Sequence, residues 1–122
     1  MTDRMPETLP QLLAQAVAAD TGAAIVYGSE RLAYRDLEAQ SKRAAAGLAA
    51  AGIGVGDRVA FWLPNTPAYL VLYFACARLG AIAVAVNTRF RASEVEDVLG
   101  RTGAKALIMW PGFRGIDFPG IL

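Results

Sequence analysis

Residues 57–91, DRVAFWLPNTPAYLVLYFACARLGAIAVAVNTRFR, constrain the fold of this chain more than any other stretch. Arg58 to Leu63 and Ile82 to Val86 are apolar runs, too short for helices and rich in β-branched or aromatic residues. Runs of that kind are expected to be strands covered on both faces, and such strands are usually parallel. Between them, Pro64-Asn65-Thr66-Pro67 supplies a break, a polar N-cap and a proline at the first helical position, where its missing N–H costs nothing. A helix to Leu79 follows, closed by Gly80. It is apolar almost all round from Ala68 to Ala77, so it is expected inside a larger body. The unit reads as a right-handed βαβ crossover.

The flanks extend the same logic. Thr8-Leu9-Pro10-Gln11 has the pattern of a capping box, with Thr8 and Gln11 bonding reciprocally. Leu9, Leu12, Leu13, Ala16 and Val17 then form one helical face that ends at Asp20-Thr21-Gly22. Ala23 to Tyr27, Gly28-Ser29-Glu30 and Arg31-Leu32 read as a short hairpin. Tyr34 to Ala51 is a second helix, with Arg35, Asp36, Glu38, Lys42 and Arg43 toward water and Leu37, Ala44, Ala45 and Leu48 inward. Its many alanines imply close packing on the sheet. Ser93-Glu94-Val95-Glu96 opens a third amphipathic segment, Gly103 stops it, and Lys105 to Met109 is a further buried strand. The fold class expected is α/β: an open, mainly parallel sheet, β-α-β-α-β from residue 57 on, with helices on its faces, preceded by a helix and a hairpin.

Several functions are disfavoured by what the chain carries. Lys and Arg are scattered and the net charge is +1, so the footprint of a nucleic-acid binder is missing. The absence of histidine removes the commonest general base and metal ligand. Cys76 lies in the apolar helix and reads as a small buried hydrophobe. Val59 to Ala77 is uncharged and mean hydropathy is +0.35, which suits a membrane segment, but Pro64, Asn65 and Pro67 cut the run in the middle. No membrane span is expected, and the amino end lacks a leader pattern, so a cytoplasmic location is expected. Gly52-Ile53-Gly54-Val55-Gly56 leaves a helix and enters a strand, the reverse of a phosphate-binding glycine loop, so Gly52 reads as a left-handed helix stop. Residues 110–122 are loop-like and finish on apolar side chains, as expected of an N-terminal piece of something longer.

Five blocks in order carry a family resemblance. Leu32-Ala33-Tyr34-Arg35-Asp36-Leu37, then Gly56-Asp57-Arg58-Val59-Ala60 with Leu63-Pro64-Asn65, resemble the opening of the adenylate-forming acyl-CoA synthetases. Ala77-Arg78-Leu79-Gly80-Ala81, Val86-Asn87-Thr88-Arg89-Phe90-Arg91 and Gly103-Ala104-Lys105-Ala106-Leu107-Ile108 continue the match. The resemblance implies that residues 1–122 are a partial N-terminal, AMP-binding domain of such a ligase, with no second domain. It implies ATP, Mg²⁺ and coenzyme A as cofactors of the whole enzyme, and a carboxylic acid, fatty or otherwise hydrophobic, as substrate. The acid becomes an acyl-adenylate and the thiol of coenzyme A then displaces AMP. The family's phosphate loop, adenine segment, metal-binding glutamate and catalytic lysine have no counterpart here, so no catalytic residue and no metal ligand is expected and the chain alone should be inert.

Three side chains are candidate contacts. Arg114, in Pro111-Gly112-Phe113-Arg114-Gly115, falls where some relatives place a basic loop against the phosphates of coenzyme A. Asn87 and Arg89 follow the end of a strand, where ligands of open α/β sheets bind. For all three the bland alternatives stand beside the functional ones: a solvated arginine, a helix cap and a plain salt bridge. A freestanding α/β module that binds a ligand or partner without catalysis is the competing reading, and attachment to a membrane through the apolar middle is a third. An open parallel sheet leaves an unpaired strand edge, through which the chain is expected to associate with itself.

Overall fold

In the computed structural model, residues 6–19 and 22–109 are described. The elements run α1 (Leu9–Ala19), β1 (Ala23–Tyr27), β2 (Glu30–Ala33), α2 (Tyr34–Ala50), β3 (Arg58–Trp62), α3 (Pro67–Leu79), β4 (Ile82–Ala85), α4 (Ala92–Thr102) and β5 (Ala106–Met109). β1 and β2 form an antiparallel hairpin. The three later strands form a parallel sheet in the order β4-β3-β5.

The expectation of strands covered on both faces is met by β3, where Val59, Ala60, Phe61 and Trp62 all have 0% exposure. It is not met by β4, where Ile82 is 46% exposed and Ala85 is exposed because no strand flanks its outer side among the described residues. Alternation sends Val59 and Phe61 to one side, where they pack with Ile53, Leu63 and the α3 residues Tyr69, Leu72, Cys76 and Leu79. Ala60 and Trp62 go to the other, against Val95, Val98 and Leu99 of α4. The two crossover helices therefore lie on opposite faces. A third cluster joins Leu13 of α1, Leu37 of α2 and Val71 of α3 to Ile25 and Leu32 of the hairpin.

Helix α3 consequently has packed surroundings on both sides, which accounts for its lack of a polar stripe. This corrects one expectation. The alanines of α2 do not close on the parallel sheet; α2 packs chiefly on α3, and α1 docks on both. The reason is that α3 covers that face of the sheet and itself needs covering. A polar contact fixes the pair of helices. Ser41, fully buried, donates to the Glu38 carbonyl at 2.8 Å and accepts from Nε of Arg78 at 3.0 Å. The Arg78 guanidinium lies 3.7 Å from the Glu38 carboxylate, so Glu38 is turned toward α3 instead of open water.

Helix ends follow local chemistry. Gly52 adopts φ +95 and closes α2 as expected, with its N–H on the Ala49 carbonyl and that of Ile53 on the Leu48 carbonyl, the two bonds of a Schellman ending. Gly80 and Gly103 take the same left-handed role after α3 and α4. At α1, Thr8 Oγ1 accepts from the Gln11 N–H at 3.2 Å, but the Gln11 amide reaches the N–H of Glu7, one residue before the reciprocal partner. Helix α4 starts earlier than Ser93: Arg91 is its N-cap residue, because the Glu94 carboxylate accepts the Arg91 N–H and so becomes the acid of the first turn. Thr66 is the N-cap residue of α3, yet its hydroxyl makes no capping bond. Leu12, expected on the inner face of α1, is 47% exposed, and Leu13 carries the docking.

The amino ends of the parallel strands are tied together. Asp57 accepts from the Gly54 N–H at 2.8 Å and lies 3.3 Å from Nζ of Lys105, which also donates to the Gly52 carbonyl at 2.6 Å. Arg58 donates to the Thr102 carbonyl at 3.0 Å. The loop before β3 is thus joined to the loop before β5.

Two tests follow from these contacts. Ala33 is the N-cap residue of α2 and has no hydroxyl, while Asp36 already accepts the Ala33 N–H at 3.3 Å. Ala33→Thr completes the reciprocal pair and is expected to stabilise by about 1 kcal/mol; a denaturant midpoint that is unchanged or lower counts against this helix start. The Gly54 N–H, and then Lys105, hold the Asp57 carboxyl below its ordinary value of 3.8. A depressed carboxyl adds stability above its unfolded value and loses it as pH falls through the folded one. The urea midpoint of Asp57→Asn is therefore expected below wild type at neutral pH, with the gap closing as pH is taken below 3.8. A gap that is constant with pH refutes the assignment.

Candidate functional site

A cleft of about 750 Å³ opens beyond the carboxyl ends of β3 and β4. Leu63, Pro64 and Asn65 from the loop after β3 form one side, and Ala85, Val86, Asn87 and Thr88 from the end of β4 form the other. Tyr69 of α3 and Tyr27 of the hairpin complete the lining. An apolar groove of about 280 Å³ adjoins it and shares Tyr27, Asn65 and Tyr69. Open α/β sheets bind ligands outside their carboxyl strand ends, most often where the strand order reverses. Here that reversal lies between β3 and β5, because the chain goes from β3 out to β4 and returns to the far side. The cleft sits beside it.

The walls are held in place by contacts outside the cleft. Tyr69 meets Phe61 edge-on, with ring centroids 5.2 Å apart, so its ring is braced against the fully buried centre of β3. Burial, with Tyr73 nearby, pushes the Tyr69 hydroxyl above its ordinary value of 10.0 and keeps it protonated. The Asn87 Oδ1 accepts the Arg89 N–H at 2.8 Å, and the Asn87 carbonyl accepts the Phe90 N–H at 3.0 Å. Asn87 therefore caps a turn, not a helix, and its amide N–H₂ is left to donate.

The cleft gathers Asn87 from the sequence candidates but not Arg89, which is exposed and has no salt bridge among the described residues. Arg91 folds its guanidinium onto the carbonyls of Arg89 and Phe90, at 3.0 Å each. Arg114 lies outside the described residues. Tyr27, Asn65 and Tyr69 were missed by sequence reasoning. Asn65 follows a strand end just as Asn87 does, so the same rule could have found it; nothing local marks the two tyrosines.

Among the described residues no charged side chain lines the cleft. Among the described residues no group of three His, Cys, Asp or Glu side chains could hold a metal. Cys76 is buried, and that burial raises its thiol, which suits packing and not nucleophilic attack. The arrangement can bind a neutral polar group by hydrogen bonds and aromatic contact. Its described residues supply neither the charges to hold a phosphate nor a nucleophile paired with a base. No helix among the described residues is long and apolar enough to cross a membrane.

Residues 13–117 match the family described as AMP-binding enzyme. The chain belongs to that family. Feruloyl-CoA synthase of an Amycolatopsis species is 43% identical over 88 residues, which is 72% of this chain and 18% of that protein. The long-chain-fatty-acid–CoA ligase FadD13 of Mycobacterium tuberculosis is 42% identical over 78 residues, covering 64% of this chain and 16% of the ligase. The chain thus spans under a fifth of the length of either relative. Among solved structures, the inhibitor-bound N-terminal domain of FACL13 from Mycobacterium tuberculosis superposes with a TM-score of 0.80 at 36% identity, over 85% of this chain and 27% of that one. Membership of the AMP-binding family agrees with the resemblance of the five sequence blocks.

The turn at Asn87 gives a local test. Asn87→Ala removes the acceptor of the Arg89 N–H, so amide hydrogen exchange at Arg89 is expected to accelerate while β3 and β4 keep their protection. Asn87→Asp retains an acceptor and should restore slow exchange. Equal exchange at Arg89 in wild type and Asn87→Ala would show that the turn does not depend on this side chain.

Proposed function

We propose that this chain is the N-terminal part of an ATP-dependent acid–thiol ligase, which activates a fatty or other hydrophobic carboxylic acid as its adenylate and passes the acyl group to coenzyme A. The observation that carries the reading is that relatives named for different acids, feruloyl, medium-chain and long-chain, are all named as coenzyme A synthases or ligases. The reaction is what they have in common. Activation is needed because a carboxylate resists a thiolate, whereas an acyl-adenylate carries a good leaving group.

The described residues fit neither the nucleotide phosphates nor Mg²⁺, since the cleft has no charged lining and no carboxylate cluster exists among them. On this reading the 122 residues act as scaffold for reactive groups encoded elsewhere in the enzyme, which works in the cytoplasm, and Arg114 is its candidate contact to the phosphates of coenzyme A. Taken by itself, the chain associates through an unpaired strand edge.

A second reading, an α/β module that binds a ligand without catalysis, is favoured by the cleft at the strand ends. Both readings leave the isolated chain without catalysis of its own. The isolated 122-residue chain, given ATP, Mg²⁺, coenzyme A and a panel of fatty and aromatic acids, is expected to release no pyrophosphate above background. Acid-dependent release by this chain would overturn its inertness. The coding sequence beyond Leu122 is expected to continue into a Ser/Thr/Gly-rich loop ending in lysine; a stop codon there would favour the binding module.

A further inference from the structure

We draw no further inference here: the strongest candidate, the Thr66 hydroxyl at the start of α3, buried without a hydrogen-bond partner among the described residues beside an apolar groove of about 280 Å³, adjoins the cleft already described, and nothing in the structure shows what occupies that groove.

Discussion

The centre of β3 has no wet side, and the rest of the structure answers to that constraint. Four consecutive residues, Val59 to Trp62, are shielded completely, which requires a strand on each flank and a helix on each face. The crossover through α3 supplies one flank and one face; the crossover through α4 supplies the others. Burying side chains of this size from water is worth roughly 1.5–3 kcal/mol each for the larger ones, so the arrangement is stabilised chiefly by apolar burial about one strand.

The two ends of the sheet are built differently. At the amino ends, the Asp57 carboxylate, the Lys105 ammonium and the Arg58 guanidinium join loops that are far apart in sequence. At the carboxyl ends, the loops after β3 and β4 diverge around a cleft lined by amides, tyrosines and a threonine. One end is committed to holding strands in place and the other keeps hydrogen-bonding groups available. That polarity is what an α/β sheet offers any ligand, and it arises here without a charged side chain among the described residues of the cleft.

The fold was largely legible in the sequence because its decisive signals are local. Apolar runs of strand length, proline at the start of α3 and glycine after α2, α3 and α4 each act within a few residues. What was misjudged depends on groups distant in the chain. Ser41 looks like an ordinary surface residue of α2, and only the approach of Arg78, 37 positions later, makes its burial favourable. The alanines of α2 announced close packing, yet nothing in them says whether the neighbour is a sheet or a helix. The cleft was half legible: Asn87 was indicated by its place after a strand, but Tyr27 comes from the hairpin and Tyr69 from α3, so their meeting is a product of tertiary packing. The start of α4 was misplaced because Ser93 and Glu96 fit the box pattern, whereas the true cap residue, Arg91, carries no capping oxygen and is marked only by its N–H bonding to Glu94.

The contact among Ser41, Glu38 and Arg78 bears on how the helix pair finds a single arrangement. Alanine-rich surfaces are nearly smooth, so α2 could slide or rotate on α3 through several positions of similar apolar contact. Only one of them brings the Ser41 hydroxyl to the Arg78 guanidinium while Glu38 stays in reach of its charge. A small polar notch thus works as a key, selecting one alignment by making every neighbouring alignment strand a desolvated cation.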